Sequence, residues 1–406
     1  MTLIAIVNCG SSSIKFRALD LDTRENVVDA LVEGIGNSIG AGTGKLRLRF
    51  PANPEVADID IAEPVSDTAY GMEMLFRETL ATGVLERHGG LACVGHRVVH
   101  GGEDFTEPTL ITDAVLEAIR RLIPLAPLHN PGNIEGIRAA MEVAPGIPQV
   151  AVFDTAFHQT IPPHAYRYAL PNVLYEDHKV RRFGFHGTSH GYVSRTAAAY
   201  LGIPVEDFNA IVLHLGNGAS VTAIRGGQSV DTSMGLTPLE GLMMGTRSGD
   251  IDPALPVFLE RNRGLSIEDY DTMLNRESGL KGICGDNDMR AIEQRMEAGD
   301  ESAKLAFDMF AYRARKYLGA YMAVLGRVDA VVFTAGIGEN SPAVREAICS
   351  GLDPLGITLD AGRNAGRGGP KEIGTAGSRT KVLVIPTEEE LEIAVQAQHC
   401  IEQAGA

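Results

Sequence analysis

Leu3–Phe16 reads L-I-A-I-V-N-C-G-S-S-S-I-K-F, and this stretch gives the first indication of the fold. An apolar run ends at Asn8, small polar residues follow, and a second apolar-alternating run begins at Ile14. Glycine and serine between two such runs predict two strands joined by a tight hairpin. The turn has little side-chain bulk and many N–H and hydroxyl donors. It therefore fits either a site for an anion such as phosphate or an ordinary hairpin turn.

The same element returns near the middle of the chain. The apolar run from Ala210 ends in H-L-G-N-G-A-S, residues His214 to Ser220, and a further strand pattern follows at Val221–Arg225. Gly216 follows Gly10 by 206 residues, about half of the 406-residue chain. A repeated element at this separation predicts two copies of one fold, each presenting a hairpin to a shared cleft.

Composition limits the possible functions. Hydrophobic residues make up 44% and charged residues 22% of the chain, which is typical of a globular protein of two or three domains. The formal net charge of −16 argues against nucleic acid or an anionic membrane as a partner. An anionic substrate must therefore be met by local arginines. The five cysteines lack the spacing of a zinc site or a disulfide scaffold. No apolar run has the length of a membrane span, so we expect a cytoplasmic protein.

Three residues of the first half are candidate ligand groups. Arg97, within G-H-R-V-V-H-G-G, lies between apolar neighbours, where a charge is costly unless it is paired. It is either a structural salt bridge or a binding group. Asp154 ends the apolar run Gln149–Phe153, a position where open α/β sheets carry ligand groups, although it could also cap the next turn. His129 lies between prolines in L-A-P-L-H-N-P-G and is either a ligand or an ordinary loop residue.

The second half carries further candidates. His186 and His190 have helical i, i+4 spacing, but Gly187 puts His186 before the helix, so we reject a shared metal face. Arg247 lies between Gly245 and Gly249 in a glycine-rich loop. The stretch Thr334–Asn340, T-A-G-I-G-E-N, follows a buried strand and precedes a helix. It predicts a glycine turn and a helix N-terminus that would bind an anion or a nucleotide.

The last helix begins in P-T-E-E-E-L, after the strand Val382–Ile385. Thr387 and Glu390 fit a capping box, in which each side chain binds the other's backbone N–H. This prediction explains Glu390 by structure alone and leaves Glu388 and Glu389 available for function.

Eight strings, in this order along residues 3 to 391, together resemble the acetate kinase family of the acetate and sugar kinase, heat-shock chaperone and actin superfamily. They are V-N-C-G-S-S-S-I-K-F, G-H-R-V-V-H-G-G, F-D-T-A-F-H, R-F-G-F-H-G-T-S-H, H-L-G-N-G-A-S, M-G-T-R-S-G-D-I-D-P, F-T-A-G-I-G-E-N and P-T-E-E-E-L. The resemblance implies an α/β fold of two duplicated ribonuclease-H-like (actin-like ATPase) domains with an interdomain cleft. We expect an N-terminal domain at 1–156, to which 388–406 return as a C-terminal helix, and a nucleotide-binding domain at 157–387.

The resemblance also implies roles for individual residues. The catalytic residues would be Asp154, His186, Arg247, Arg97 and His129. Arg97 would also bind the substrate carboxylate, beside an apolar acyl pocket of Val99, Leu128 and Pro238. The nucleotide and its phosphates would contact Ser11, Ser13, Lys15, His214, Leu215, Gly216, Asn217, Gly218, Asp288, Met289, Arg290, Gly336, Ile337, Gly338, Glu339 and Asn340. Mg²⁺, or Mn²⁺ in its place, would be held by Asn8 and Glu389. The family usually has Asn where this chain has Glu388, so the ligand stays open between Glu388 and Glu389, with Glu389 favoured.

The chemistry of the residues agrees with this resemblance. A carboxylate substrate is already ionised at pH 7, so it needs no general base to attack a phosphoryl group. It needs cations and donors in line, which makes Asp154 an orienting group for a metal or an arginine rather than a proton acceptor. The resemblance implies direct in-line, Mg²⁺-dependent transfer, ATP + acetate ⇌ ADP + acetyl phosphate, by a homodimer. The alternatives are a kinase for propionate or another short acid and, more remotely, an actin-like or chaperone-like ATPase.

Overall fold

A computed structural model describes residues 2–10, 12–36 and 44–405. The chain divides into two compact units. The first unit comprises Met1–Ala156 and Glu388–Ala406, and the second comprises Phe157–Thr387. Within the described ranges, no helix combines the length and the apolarity that crossing a bilayer requires.

The strands, numbered in chain order, are β1 (Leu3–Cys9), β2 (Ser13–Asp20), β3 (Glu25–Glu33), β4 (Lys45–Arg49), β5 (Ile59–Ala62), β6 (Leu91–Val98), β7 (Thr109–Leu110), β8 (Gln149–Phe153), β9 (Asn209–Leu215), β10 (Ala219–Arg225), β11 (Gln228–Thr232), β12 (Ala330–Thr334), β13 (Lys371–Glu372) and β14 (Lys381–Val384).

The helices are α1 (Thr68–Ala81), α2 (Val84–Arg87), α3 (Asp113–Arg121), α4 (Asn130–Val143), α5 (Pro163–Tyr166), α6 (Asn172–His178), α7 (Gly187–Leu201), α8 (Leu255–Arg263), α9 (Ile267–Arg276), α10 (Gly279–Cys284), α11 (Met289–Glu297), α12 (Glu301–Leu325), α13 (Ala335–Asn340), α14 (Pro342–Cys349), α15 (Ala361–Asn364) and α16 (Glu389–Ala404). Short 3₁₀ helices lie at Ile123–Leu125, Ala156–Thr160, Val205–Asp207 and Asp353–Leu355.

The two units repeat one sheet topology. The strand order is β5-β4-β3-β2-β1-β6-β8-β7 in the first unit and β11-β10-β9-β12-β14-β13 in the second. In each sheet an antiparallel meander is followed by two parallel strands and an antiparallel edge strand, and the meander has five strands in the first sheet and three in the second. The limits of β1 and β9 both differ by 206 residues, the separation of the two hairpins in the sequence. The duplicated α/β fold predicted from the sequence is therefore confirmed.

The first strand is apolar throughout because both faces of its sheet are covered. Alternate side chains of a strand point to opposite faces. Leu3 and Val7 pack in the core that contains α1, while Ile4 and Ile6 pack in a second core with α16. A strand buried on both faces reads as a continuous apolar run rather than as an alternation.

Helix α16 returns to the first unit through a close contact with β6. Its buried residues Ile393, Ala397 and Ile401 recur at helical spacing and face the sheet. A Cβ at Gly95 of β6 would lie 3.0 Å from the Ile393 side chain, so glycine lets the helix approach the strand. This packing fixes the first turn of α16, with Glu389, against the first sheet.

The second unit is built in the same way. The strands β9 and β12 are almost wholly buried at its centre. Helix α7 contacts β9 and β12, and the long helix α12 contacts β9 and β10. The hairpin β9–β10 and the start of α7 therefore lie in one packed region, which carries the candidate histidines.

Candidate active site

Arg97 and Asp154 form a tight ion pair in the first unit. Arg97 is the penultimate residue of β6 and Asp154 directly follows β8, and the carboxyl ends of these neighbouring parallel strands share one edge of the sheet. Asp154 Oδ2 accepts from Arg97 Nη2 at 2.5 Å and from Nε at 3.0 Å. Burial lowers the Arg97 pKa, but Asp154 and Glu389 outweigh this effect, so the pKa is raised and the guanidinium stays charged. The two readings of Arg97 from the sequence are compatible, because the salt bridge itself orients the guanidinium.

Glu389 joins this pair from the first turn of α16. The pKa of its carboxyl is raised, mainly by burial and also by the Asp154 charge, although the Arg97 charge opposes this shift. Glu388 is exposed, and Glu390 lies 3.6 Å from Arg17. The charges of Glu389 and Glu390 both raise the Arg97 pKa, and Glu389 has the larger effect and also interacts with Asp154.

The predicted capping box is wrong. The N-cap of α16 is Glu388, which makes no capping hydrogen bond through its side chain. The Thr387 hydroxyl instead donates to Ser189 Oγ at 2.8 Å. The Thr387 hydroxyl, which the local pattern predicted to cap the helix, therefore bonds a residue that is distant in sequence.

Asn8 and Glu389 supply donor atoms that fit Mg²⁺. In the part of the chain that the structure describes, no three His, Cys, Asp or Glu side chains are grouped to hold a metal ion. Mg²⁺ often needs only one or two carboxylates, because waters and phosphates complete its shell. Asn8 in β1 lies opposite Lys15 in β2, and the charge of Lys15 lowers the pKa of Glu389. A carboxylate whose charged form is penalised by burial is a group that a divalent cation would stabilise.

Two asparagines of α4 hold the strand ends that carry these residues. Asn133 Nδ2 donates to the Cys9 carbonyl at 2.9 Å, and Asn133 Oδ1 accepts from the Val99 N–H at 3.1 Å. Asn130 bonds both backbone groups of His100. The sequence analysis missed this pair. Its only sequence signal was the polar string N-P-G-N directly after the candidate His129.

The remaining candidates of the first unit differ in exposure. Val99 is buried, Leu128 is 48% exposed, and His129 is the N-cap of α4. In the first hairpin, the Gly10 N–H donates to the Ser13 carbonyl at 2.9 Å, and Lys15 is exposed. Ser11, predicted to bind phosphate, lies outside the described residues.

In the second unit, His186 precedes α7 in a left-handed conformation. Its φ is 57°, which is uncommon for a residue other than glycine and often marks a functional position. Its Nδ1 lies 2.9 Å from the Ser220 hydroxyl, which also lies 2.7 Å from His190 Nε2. The imidazole of His214 stacks on that of His186, with ring centroids 4.2 Å apart. The i, i+4 histidines are thus joined by a serine, in a place where a shared metal was rejected from the sequence.

Arg247 approaches the same histidine. Its Nη1 donates to the Pro238 carbonyl at 3.2 Å, and burial lowers its pKa. Among the residues described, no carboxylate forms an ion pair with Arg247. A Cβ at Gly218 would lie 3.5 Å from both Arg247 Nη1 and His186 Nε2. The space at Gly218 is therefore large enough for a methyl group, which would be in van der Waals contact with both the cation and the imidazole.

A cavity of about 770 Å³ lies beside the second hairpin. It is lined by Gly216, Asn217, Asn287, Asp288, Met289, Arg290, Glu293, Gln294, Glu297, Gly336, Ile337, Asn340, Ser341 and Arg367. Eight of the residues predicted to bind nucleotide are therefore brought together, and the volume suits a ligand of nucleotide size. Asn287, Glu293, Gln294, Glu297, Ser341 and Arg367 had not been identified from the sequence.

Five other predicted residues of the second unit lie outside this lining. Leu215 and Gly338 are buried, and His214 is stacked on His186. Gly218 borders the space beside Arg247. Glu339 Oε1 accepts from the Thr387 N–H at 3.1 Å, which ties α13 to the end of the unit.

The glycine stretch after β12 is not an open turn. Ala335–Asn340 forms the short helix α13, and Ser341 then caps α14 by accepting from the Val344 N–H at 3.0 Å. Ala335 takes a left-handed φ of 64° where the strand meets the helix. The predicted helix after the segment is confirmed, since α14 begins at Pro342, but the glycine segment itself is helical and is not a turn.

Comparison with known proteins gives one consistent result. The profile of the acetokinase family matches residues 3–395. An acetate kinase of Streptomyces avermitilis is 54% identical over 396 residues, which cover 97% of this chain and 96% of that protein. An acetate kinase of Streptomyces coelicolor is 52% identical over 405 residues, covering 100% and 98%.

Solved structures agree with the sequence matches. A propionate kinase of Francisella tularensis superposes with a TM-score of 0.92 at 43% identity, covering 98% of this chain and 100% of that chain. An acetate kinase of Porphyromonas gingivalis superposes with a TM-score of 0.91 at 41% identity, covering 99% and 100%.

Proposed function

The chain belongs to the acetokinase family and is an acetate kinase by that membership, and from this premise we propose that it transfers a phosphoryl group directly and reversibly between ATP and acetate. The products in the forward direction are ADP and acetyl phosphate. The family match spans nearly the whole chain and argues against an actin-like or chaperone-like ATPase with a different activity.

One observation carries the assignment of the transfer site: Arg247 has a desolvated guanidinium with no carboxylate partner among the described residues. A partly buried cation without a counter-charge is costly, and a bound anion removes that cost. Because His186 Nε2 borders the same space at Gly218, the transferring phosphoryl group is the anion that fits it.

Arg97 binds the acetate carboxylate in this proposal. Asp154 holds the Arg97 guanidinium in one orientation and leaves its remaining donors for the substrate. Acetate is already an anion at neutral pH, so Asp154 does not act as a base. Catalysis then comes from positioning and from donors aimed at the phosphoryl oxygens.

The nucleotide binds in the cavity between the β9–β10 hairpin and α13. Asn217, Asp288 and Asn340 supply polar groups on its wall. Mg²⁺, or Mn²⁺ in its place, would neutralise the phosphate charge when it is bound. Asn8 and Glu389 are the residues that would hold it. Glu389 is preferred to Glu388 because Glu388 is exposed, whereas the partly buried Glu389 interacts with the charges of Arg97 and Asp154.

Acetate is preferred to propionate because the curated relatives described above are acetate kinases at higher identity than the propionate kinase structure. Val99, Leu128 and Pro238 would form the acyl pocket. One methylene changes kcat/KM by only about 10- to 200-fold in an apolar pocket, so activity on propionate is expected to overlap. We further propose a cytoplasmic homodimer, on the basis of the family resemblance.

The deciding experiment traps the acyl phosphate as its hydroxamate. The purified chain is incubated with ATP, Mg²⁺ and acetate, propionate or butyrate, with EDTA and acid-free controls. We expect acid- and metal-dependent hydroxamate, with the highest kcat/KM for acetate. A higher kcat/KM for propionate would identify the alternative substrate. ATP hydrolysis that does not depend on the acid would overturn acyl phosphate synthesis as the function.

A further inference from the structure

Ser220 links two histidines through a single hydroxyl group. It lies near the start of β10, it has no solvent exposure, and its Oγ is 2.9 Å from His186 Nδ1 and 2.7 Å from His190 Nε2. A serine hydroxyl carries one proton. It can therefore donate to only one of the two rings and must accept from the other. The direction of this chain decides which nitrogen of His186 carries the proton of the neutral ring.

His190 sets the direction. Its Nδ1 is buried and has no hydrogen-bond partner among the described residues. An orphaned buried N–H is rarer in proteins than an unfilled acceptor, so the His190 proton belongs on Nε2, which has a partner. His190 Nε2–H then donates to Ser220, Ser220 donates to His186 Nδ1, and the neutral His186 ring carries its proton on Nε2.

A second series of hydrogen bonds, beside the first, also ends with a hydroxyl group that donates to a histidine Nδ1. The Thr387 hydroxyl donates to Ser189 Oγ at 2.8 Å, which leaves the Ser189 proton for His214 Nδ1, also at 2.8 Å. His214 therefore carries its proton on Nε2 as well. The rings of His186 and His214 stack with an interplanar angle of 18°. Two stacked imidazolium charges would repel strongly, so the stack favours neutral rings.

We propose that His190 and Ser220 are positioning residues that fix His186 as a neutral hydrogen-bond donor through Nε2. This inference rests on the proposed role of His186 at the transferring phosphoryl group. The Nε2 atom borders the space at Gly218 that Arg247 also borders. The imidazole then supplies a directed N–H at any pH where it is neutral. Burial and the neighbouring His158 and His214 hold the pKa of His190 well below its ordinary value, so the His190 ring stays neutral at physiological pH.

The tautomer is measured directly by nuclear magnetic resonance. The chain has 11 histidines, so ¹⁵N-histidine labelling with long-range ¹H–¹⁵N correlation gives a countable set of ring signals. The His186 signals are identified by their loss in His186→Gln. We expect a protonated Nε2 and an unprotonated, hydrogen-bonded Nδ1 in His186 of the wild-type chain. A proton on Nδ1 would overturn the proposal, even in a fully active enzyme.

Steady-state kinetics tests how much the hydrogen bonds through Ser220 contribute to catalysis. Ser220→Ala should lower kcat by about 10- to 100-fold, as for other groups that orient a functional residue. It should change the KM values for ATP and acetate by no more than about twofold, because ground-state binding is retained. The His186 ring signals of this variant should shift towards a mixture of tautomers. Unchanged kcat and an unchanged His186 tautomer in Ser220→Ala would contradict the proposal.

Ser229→Ala is the matched control. Ser229 is equally buried, and its Oγ lies 2.9 Å from His158 Nδ1, so the variant also removes a buried serine–histidine bond. It should retain nearly wild-type kcat and the His186 tautomer, because its bond lies outside the Ser220 chain. Equal losses in the two serine variants would indicate a merely structural role for Ser220 and would overturn the proposal.

His190 variants separate donation from packing. His190→Gln keeps an N–H donor near the Nε2 position and should preserve the His186 tautomer, whereas His190→Leu should lose it. The reverse pattern would contradict the assigned direction. Absence of acetyl phosphate in the wild-type assay would refute the proposed function while the tautomer spectra still tested the hydrogen-bond chain. The two failures can thus be distinguished.

Discussion

The carboxylate of Asp154 holds the guanidinium of Arg97, with Oδ2 at 2.5 Å from Nη2. Arg97 is the penultimate residue of β6, and Asp154 directly follows the adjacent parallel strand β8. The Asp154 N–H donates to the Val98 carbonyl at 3.0 Å. Asp154 is only 1% exposed, so the sheet itself fixes the carboxylate. Arg97 is thereby presented in one orientation, which suits bidentate recognition of a planar anion.

Arg97→Ala should chiefly weaken acetate binding. We expect the acetate KM to rise by about 10- to 100-fold, the scale of one charge-assisted hydrogen-bond interaction. The ATP KM should change little. Steady-state kinetics at saturating ATP measures the effect.

A control is needed because Arg97→Ala leaves the Asp154 carboxylate without its cation. Asp154 would be buried without its cation in Arg97→Ala, and the resulting instability could mimic a loss of binding. Arg97→Ala combined with Asp154→Asn removes the orphaned charge and should melt at a higher temperature, yet keep the high acetate KM. An acetate KM equal to that of the wild type in either variant would count against the role of Arg97.

Arg247→Ala should act on the chemical step. Removing one donor from the developing charge costs about 2–4 kcal/mol of transition-state stabilisation, or roughly 30- to 1,000-fold in kcat. The chain should fold normally, since the guanidinium is a desolvated cation that, among the described residues, donates to the Pro238 carbonyl and, weakly, to Met244 Sδ. Single-turnover phosphoryl transfer at saturating ATP and acetate is the appropriate measurement.

Arg225→Ala provides a matched control in the same unit. The Arg225 guanidinium is exposed and donates to the Val324 carbonyl at 2.9 Å, away from the candidate histidines. Its kcat should remain close to that of the wild type. Full kcat in Arg247→Ala would rule out the assigned role, whatever its effect on KM.

The duplicated fold could be predicted from the sequence because its signals are local. The hairpins at Gly10 and Gly216 are read from apolar runs interrupted by glycine, and a continuous apolar run marks a strand that is buried on both faces. These patterns need no knowledge of distant partners. The sheet topology then follows from two copies of the same local order.

The failures of the sequence analysis arise from distant partners. Thr387 fits a capping box, yet its hydroxyl donates to Ser189, 198 residues away in sequence. Ser220 lies 34 residues from His186 and Asn133 lies 124 residues from Cys9, so no spacing rule reveals either pair. Polar positioning groups are selected by tertiary geometry, and that geometry leaves little periodic signal in one chain.

Arg345→Met should loosen the nucleotide cavity. Arg345 is fully buried in α14, and all five of its N–H donors bond carbonyl oxygens of Gly338, Glu339, Asn364 and Gly366. Burial lowers the pKa of this guanidinium to about 10. Methionine would leave these acceptors unpaired, at about 1–3 kcal/mol for each one that water does not reach. We expect a lower melting temperature and a higher ATP KM, with a smaller change in the acetate KM.

Melting curves with excess MgATP separate the effect of Arg345→Met on stability from its effect on nucleotide binding. The melting temperature is measured with and without MgATP, because a ligand that binds the folded state stabilises it by mass action. The wild type should gain more than the variant at equal MgATP. Equal gains would mean that Arg345 supports the fold but does not help to form the nucleotide cavity.

The last prediction concerns acid stability and the buried His96. Its ring lies on β6, and Nε2 is 2.7 Å from Gln149 Oε1. Burial lowers the His96 pKa from its ordinary value of 6.5 to about 4. Below pH 6.5 the unfolded chain binds a proton that the folded chain refuses until about pH 4. The contribution of His96 to the free energy of unfolding is therefore complete above pH 6.5 and falls as the pH drops, by about 2 kcal/mol at pH 5.

Melting curves at pH 7.5 and pH 5.0 should show a smaller loss of stability in His96→Gln than in the wild type. His164→Gln, at an exposed position on α5, should keep the wild-type loss, and equal losses in His96→Gln and the wild type would exclude His96 as a source of acid sensitivity.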